Sequence, residues 1–329
     1  MGLQGRMSFL AAALIAATTP IASAPPPPAQ PVLLVSGLEG ASGSTIGPGG
    51  ALYVTEGAAG RISRVDPETG YVTTFASGLP PSIVGIGGAI DVAFMGSTAY
   101  ALVTLVGADV GGADTVGIYR VDGPDTFTVV ADIGAFSLSN PPATDFFVPT
   151  GVQYSIETFR GGFLVADGHH NRVLRVTLDG EISEFAVFGN IVPTGLAVSG
   201  NTVYIAQAGP VPHLPEDGKV VSVTPASAGA TEVASGARLL VDVEFGRGRT
   251  LFALSQGDFP EGNPEGSPAS PDTGALVAVN TDGGFTLVSA PLNQPTSLEI
   301  IGNTAYVISL GGDIWKIGGI ADPPYGRAR

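Results

Sequence analysis

From Val32 onward the chain is a succession of short apolar runs that alternate with polar or small residues and break at glycine- and proline-bearing turns, the pattern of many strands rather than of helices. The runs recur as a unit. A first strand repeats as Ala89-Ile90-Asp91-Val92-Ala93, Pro149-Thr150-Gly151-Val152-Gln153, Pro193-Thr194-Gly195-Leu196-Ala197, Leu240-Val241-Asp242-Val243-Glu244 and Pro295-Thr296-Ser297-Leu298-Glu299, with Ser42-Gly43-Ser44-Thr45-Ile46 as a degenerate first copy. After a tight glycine-containing turn a second strand follows, as in Leu52-Tyr53-Val54, Phe163-Leu164-Val165 and Ala305-Tyr306-Val307. Third strands (for example Arg61 to Asp66 and Arg172 to Thr177) and fourth strands (Tyr71 to Ala76 and Ile182 to Val187) complete units spaced roughly 44 to 60 residues apart, the period of four-stranded blades.

Six units are present, and only the sixth lacks a fourth strand. Val32-Leu33-Leu34-Val35-Ser36-Gly37-Leu38 matches the outer strand of blade 1, Thr73-Thr74-Phe75-Ala76-Ser77-Gly78-Leu79, down to the shared Ser-Gly-Leu. The reading is therefore an all-β, NHL-like six-bladed β-propeller over 32–318, closed by its N-terminal strand pairing into blade 6. Closure of that kind removes an open sheet edge.

In such a blade the first-to-second and third-to-fourth turns share one face of the disc, and the remaining connections share the other. The first set is short, as at Gly47-Pro48-Gly49-Gly50 and Asp179-Gly180, whereas the second holds long insertions at 107–115, 134–148, 208–218 and 257–273. Long irregular loops on a rigid scaffold are where binding concentrates, although this face is also where insertions are tolerated.

Composition narrows the chemistry. The 329-residue chain contains no cysteine, which excludes disulfides, zinc–thiolate clusters, a thiol nucleophile and a lipid-anchoring cysteine. A formal charge of −15 argues against nucleic acid as a partner, because that affinity rests on basic side chains. Arg6, the apolar stretch Phe9 to Ala17 and Ala22-Ser23-Ala24 read as a signal peptide over 1–24, implying a secreted or periplasmic protein, and Pro25 to Pro31 as a stiff Pro-rich linker over 25–31. The apolar run falls short of the ~20 residues that a membrane span needs, and no later segment reaches that length. Residues 319–329 read as a C-terminal tail. The protein is expected to be a monomer.

All three histidines fall on the long-loop face, His169 and His170 in blade 3 and His213 in blade 4. Glu56, Asp167 and Gln207 end second strands there. His169, His170, Asn171, Gln207 and His213 are the candidate ligand-binding residues, with His169 and His170 as candidate acid/base groups, since imidazole titrates near neutrality. His213, flanked by Pro212 and Pro215, reads as an exposed loop residue more readily than as a ligand contact. Asp91 and Asp242 open inner strands three blades apart and should face each other across the axis. Two such carboxylates either share a cation, for which oxygen ligands favour Ca²⁺, or each bonds amides in its own strand. Asp91, Asp242, Glu56 and Asp167 are the candidate metal ligands. No phosphate-binding loop, EF-type loop, H-E-x-x-H or G-x-S-x-G pattern is present.

Val165-Ala166-Asp167-Gly168-His169-His170-Asn171-Arg172-Val173-Leu174-Arg175-Val176 resembles the core of an NHL repeat. The whole layout resembles the ScyD/ScyE propeller family of scytonemin gene clusters, through Ser36-Gly37-Leu38, Gly47-Pro48-Gly49-Gly50-Ala51-Leu52-Tyr53-Val54, Ala131 to Pro142, Val192 to Ala197 and Val203 to Ile205. The resemblance implies an exported propeller of poorly defined biochemical role. Where that family has Asn-Pro-Arg-Gly in blade 1, this chain has Gly40-Ala41-Ser42-Gly43, so a role resting on that arginine is absent. Two functions remain open from the sequence. One is a non-catalytic binding or scaffold propeller using its long-loop face for a protein or small-molecule ligand. The other is a Ca²⁺-dependent hydrolase or lyase of gluconolactonase-like or streptogramin-lyase-like type, with its site at the central tunnel.

Overall fold

A computed structural model describes residue 1 and residues 27–322. The signal-peptide reading over 1–24 therefore falls, apart from Met1, outside the described residues, as do residues 323–329 of the tail. The sheets are six antiparallel four-stranded blades. Each inner strand packs on the next, and the inner strand of blade 6, Pro295–Ile301, returns to that of blade 1, Ala41–Ile46. The chain is a six-bladed β-propeller.

Blade 6 is closed as the Ser-Gly-Leu match predicts. Val32–Val35 lies antiparallel to Ile314–Gly318, with Val32 opposite Lys316 and Val35 opposite Ile314. Val35 and Leu38 are buried with Leu52, Tyr306 and Ile314 between blades 6 and 1. Upstream, the Ala29 amide donates to the Val288 carbonyl (2.7 Å), and the Ser289 hydroxyl donates to the Ala29 carbonyl (2.6 Å). The end of the Pro-rich segment is thus tied to the outer strand of blade 5, Phe285–Leu292. Beyond blade 6, Ile320 is fully buried in the same apolar cluster as Ala29 and Trp315.

The strand register corrects two repeats. Pro149-Thr150-Gly151 copies the Pro-Thr-Gly of blade 4, but the inner strand of blade 3 is Gln153–Phe159. Gly151 instead turns with φ +82°, and the amide and hydroxyl of Thr150 both donate to Asp109 in a blade 2 loop. Cross-strand pairing aligns Gln153 (opposite Asp167) with Pro193 (opposite Gln207), so blade 3 shifts by four residues. Blade 1 shifts by one, since Ala41 pairs with Glu56.

Among the described residues one α-helix interrupts the strands. Ile133–Ser139 lies in the connection from blade 2 to blade 3, capped by the Asp132 carboxylate on the Ala135 amide. It supplies Ser137, whose hydroxyl accepts from Arg172.

Candidate functional site in an axial cavity

With the register corrected, one position of the inner strands reads Gly43, Asp91, Ser155, Gly195, Asp242 and Ser297 around the ring. The order Gly, Asp, Ser occurs twice, once per half of the disc, and the packing explains it. The Asp91 carboxylate accepts from the amide of Val92 in its own strand and from Ile156 in blade 3, both at 2.8 Å. Asp242 does the same with Val243 at 2.8 Å and Leu298 of blade 6 at 2.7 Å. A side chain at Gly43 would overlap the Asp91 carboxylate, and one at Gly195 would overlap Asp242. Each aspartate therefore stitches its own blade to the next, and the glycine of the preceding blade provides the room.

Two residues further along the same strands stand Glu157, Glu244 and Glu299. All five carboxylates line a cavity of about 540 Å³ on the propeller axis. Burial pushes Asp242 and Glu157 up to about 7, amide hydrogen bonds on Asp242 only partly offsetting it. Burial, and after it the repulsion of neighbouring carboxylates, holds Glu244 and Glu299 well above the ordinary range. Asp91 is likewise raised by burial, against its two amide bonds. At neutral pH the group is thus only partly ionised.

The opposite part of the wall comes from the long-loop connections: Gly85, Ile86, Leu105, His169, Val192, Ala208, His213, Leu239, Glu265 and Leu310 all border the same space. His169 is buried. Its Nε2 lies 2.7 Å from the Tyr154 hydroxyl, and its ring meets Phe147 edge to face. Burial lowers its pKa to about 4. His213 is buried too, correcting the expectation of an exposed loop residue, and its Nδ1 lies 3.1 Å from the Ala208 carbonyl. Nδ1 must carry the proton to make that bond, so Nε2 keeps a lone pair. Burial depresses this histidine as well, against the pull of its backbone bonds and acidic neighbours.

The other predicted residues are elsewhere. His170, adjacent to His169 in sequence, turns the opposite way: Nε2 lies 3.0 Å from the Val148 carbonyl and Nδ1 3.1 Å from the Asp167 carboxylate. Asn171, at φ +54°, accepts the Ile191 and Val192 amides and donates to Thr144, which fixes a turn. Gln207 is buried at the end of its strand, outside the cavity wall.

The four predicted metal ligands do not converge. Asp91 and Asp242 reach the cavity, but Glu56 and Asp167 are each neutralised inside a blade. Glu56 takes Arg61 at 2.6 and 2.8 Å together with Ser63 and the Glu39 amide, and these bonds outweigh burial and hold its pKa low. Asp167 takes Arg172 at 2.9 Å and Gln153 at 2.9 Å. Among the described residues no three His, Asp or Glu side chains stand close enough to hold one ion. Asp91 and Asp242 each hold two backbone amides while Glu56 and Asp167 hold their own arginines, so these four residues do not gather into the oxygen shell that Ca²⁺ takes.

No protein-family model matches the chain, and no curated protein does. Solved structures do match. The chain is similar to virginiamycin B lyase from Staphylococcus aureus (15% identity, TM-score 0.53, 88% of this chain and 98% of that one). It is similar to XC5397, a gluconolactonase from Xanthomonas campestris (12%, TM-score 0.60, 87% and 88%). A third similar structure is the PQQ-bound aldose sugar dehydrogenase of Streptomyces coelicolor (14%, TM-score 0.58, 90% and 99%). At these identities the likeness concerns the fold. Among the described residues no helix is long and apolar enough to cross a membrane.

Proposed function

We propose that this protein is a non-catalytic binding propeller that takes a small organic molecule into its axial cavity through the long-loop face. The observation that carries this is the cavity itself: about 540 Å³, within the range of small-molecule sites, with apolar side chains at its mouth and polar and acidic ones converging along the inner strands. The pattern of residues 6–24 and the resemblance to ScyD/ScyE propellers support a site of action outside the cytoplasm.

A ligand-observed NMR screen of a fragment library against the wild-type protein and a Val241→Trp variant tests this, because Val241 lines the cavity. Hits should bind the wild type and disappear in the variant. Ile90→Trp serves as a second plug, and melting curves verify that each variant folds. Hits that survive in both plugged variants, or a screen without hits, would refute the reading.

A hydrolase or lyase reading has one specific support, the neutral His213 with its Nε2 lone pair on the cavity wall, in a fold similar to proteins described as a lyase and a gluconolactonase. It would act without Ca²⁺ held by the four predicted carboxylates. Opening of glucono-δ-lactone, followed by proton release, should then depend on His213 and survive EDTA. A rate equal to that of buffer excludes this substrate and leaves binding as the function.

A further inference from the structure

Six acidic side chains line the axial cavity: Asp91, Glu157, Asp242, Glu244, Glu299 and, at the mouth, Glu265. Among the described residues no lysine or arginine lines it. Elsewhere the chain neutralises its buried carboxylates itself, Glu56 with Arg61 and Asp167 with Arg172. On the axis no described residue is such a partner, and carboxylates in a poorly solvated space need either protons or an external cation.

The rest of the wall describes what kind of cation fits. No three acidic or histidine side chains among the described residues lie at metal-ligand spacing, whereas Leu105, Val152, Tyr154, Val192 and Leu239 give the mouth an apolar wall. The inner strands start at the long-loop face, so Glu157, Glu244 and Glu299 lie two residues deeper than the aspartate layer, beyond that apolar region. A second, independent feature also points to an occupant. His169 Nδ1 is buried on the cavity wall without a hydrogen-bond partner among the described residues, and its nearest carboxylate, Glu265, is 3.6 Å away, beyond hydrogen-bond reach.

Building on the small-molecule reading above, we propose that the cavity selects an amphipathic organic cation, an amine whose ammonium group reaches the Asp242, Glu244 and Glu299 carboxylates while its apolar body lies against Tyr154, Leu105 and Leu239. The ammonium replaces protons that the carboxylates otherwise hold, so binding releases protons and tightens as the pH rises. The titrating groups facing the ligand are the six acids, His169 and His213.

Three probes that share a phenylethyl body separate charge from shape in calorimetric titrations: 2-phenylethylamine, 2-phenylethanol and 3-phenylpropanoate. The amine should bind at least about tenfold more tightly than the alcohol, as expected for charge-assisted hydrogen bonds, and the carboxylate should not bind. The amine's affinity should rise from pH 6 to pH 8, with proton uptake by the buffer. A Glu244→Gln/Glu299→Gln variant should lose about tenfold in amine affinity and keep its affinity for the alcohol. Alcohol binding as tight as amine binding, absent in Val241→Trp, would overturn the cation proposal and leave the cavity reading standing. Carboxylate binding, no amine binding at millimolar concentration, or amine binding that persists in Val241→Trp would also overturn it. A fragment screen without cavity-dependent hits is the separate result that removes the cavity reading.

Discussion

Asp91 and Asp242 hold the ring together through their amide bonds to the next blade, and the same bonds fix how both carboxylates sit on the axis. Their neighbours make this a tight fit. Gly195→Ala should destabilise the protein by about 1–3 kcal/mol, because the added methyl overlaps the Asp242 carboxylate and backbone. Urea unfolding measures this, and an unchanged midpoint would show that the axis is loosely packed. Arg172 is a second anchor. Fully buried, it donates to Asp167, Ser137 and the Asn140 carbonyl, so Arg172→Met, which leaves Asp167 buried without its arginine partner, should cost about 3–5 kcal/mol in the same assay. A loss below 1 kcal/mol would mean that Gln153 and His170 satisfy Asp167 without the arginine.

At the scale of the strands, closure rests on residues 32–38. Deleting residues up to 36 exposes the edge of Ile314–Gly318 and uncovers the cluster around Leu52 and Tyr306. Such a protein should elute as oligomers in size-exclusion chromatography and unfold at lower urea; a monomer with the wild-type midpoint would contradict closure by this strand. The closing strand was legible because its Ser-Gly-Leu repeats that of blade 1, a periodic signal that does not depend on side-chain environment. The acidic layer was legible only in part. Glu244 and Glu299 end two of the recognisable repeats, but Glu157 was hidden by the Pro149-Thr150-Gly151 decoy, which displaced blade 3 by four residues. Only the opposition of Gln153 to Asp167 reveals it. The split between His169 and His170 depends on a 3₁₀ turn at Gly168–His170, which sends adjacent rings to opposite sides. Composition and spacing carry no trace of that divergence. Glu265, from a 17-residue insertion at 257–273, reaches the mouth through loop geometry held by Gln256 and Gln294 on Ala269.

For the whole molecule, the axial acids tie stability to pH. Their folded pKa values are raised, to about 7 for Asp242 and Glu157, so their stabilising contribution is complete below the unfolded carboxylate range and is lost as pH rises through about 7. His169, lowered to about 4, acts in the opposite sense: its contribution is complete above about 6.5 and lost as pH falls towards 4. Above pH 6.5 only the acids still change, so the melting temperature should fall between pH 6.5 and pH 8.5, and fall less in Glu244→Gln/Glu299→Gln. A flat profile in the wild type would show that water reaches and solvates the axis freely. The cavity's role as a binding site is tested most directly by a crystal structure of the protein with the tightest fragment hit. Electron density on the axis, between Glu244 and Glu299 on one side and Tyr154 and His169 on the other, is the predicted result. Density confined to the outer strands, with the axial space filled by solvent alone, would contradict it.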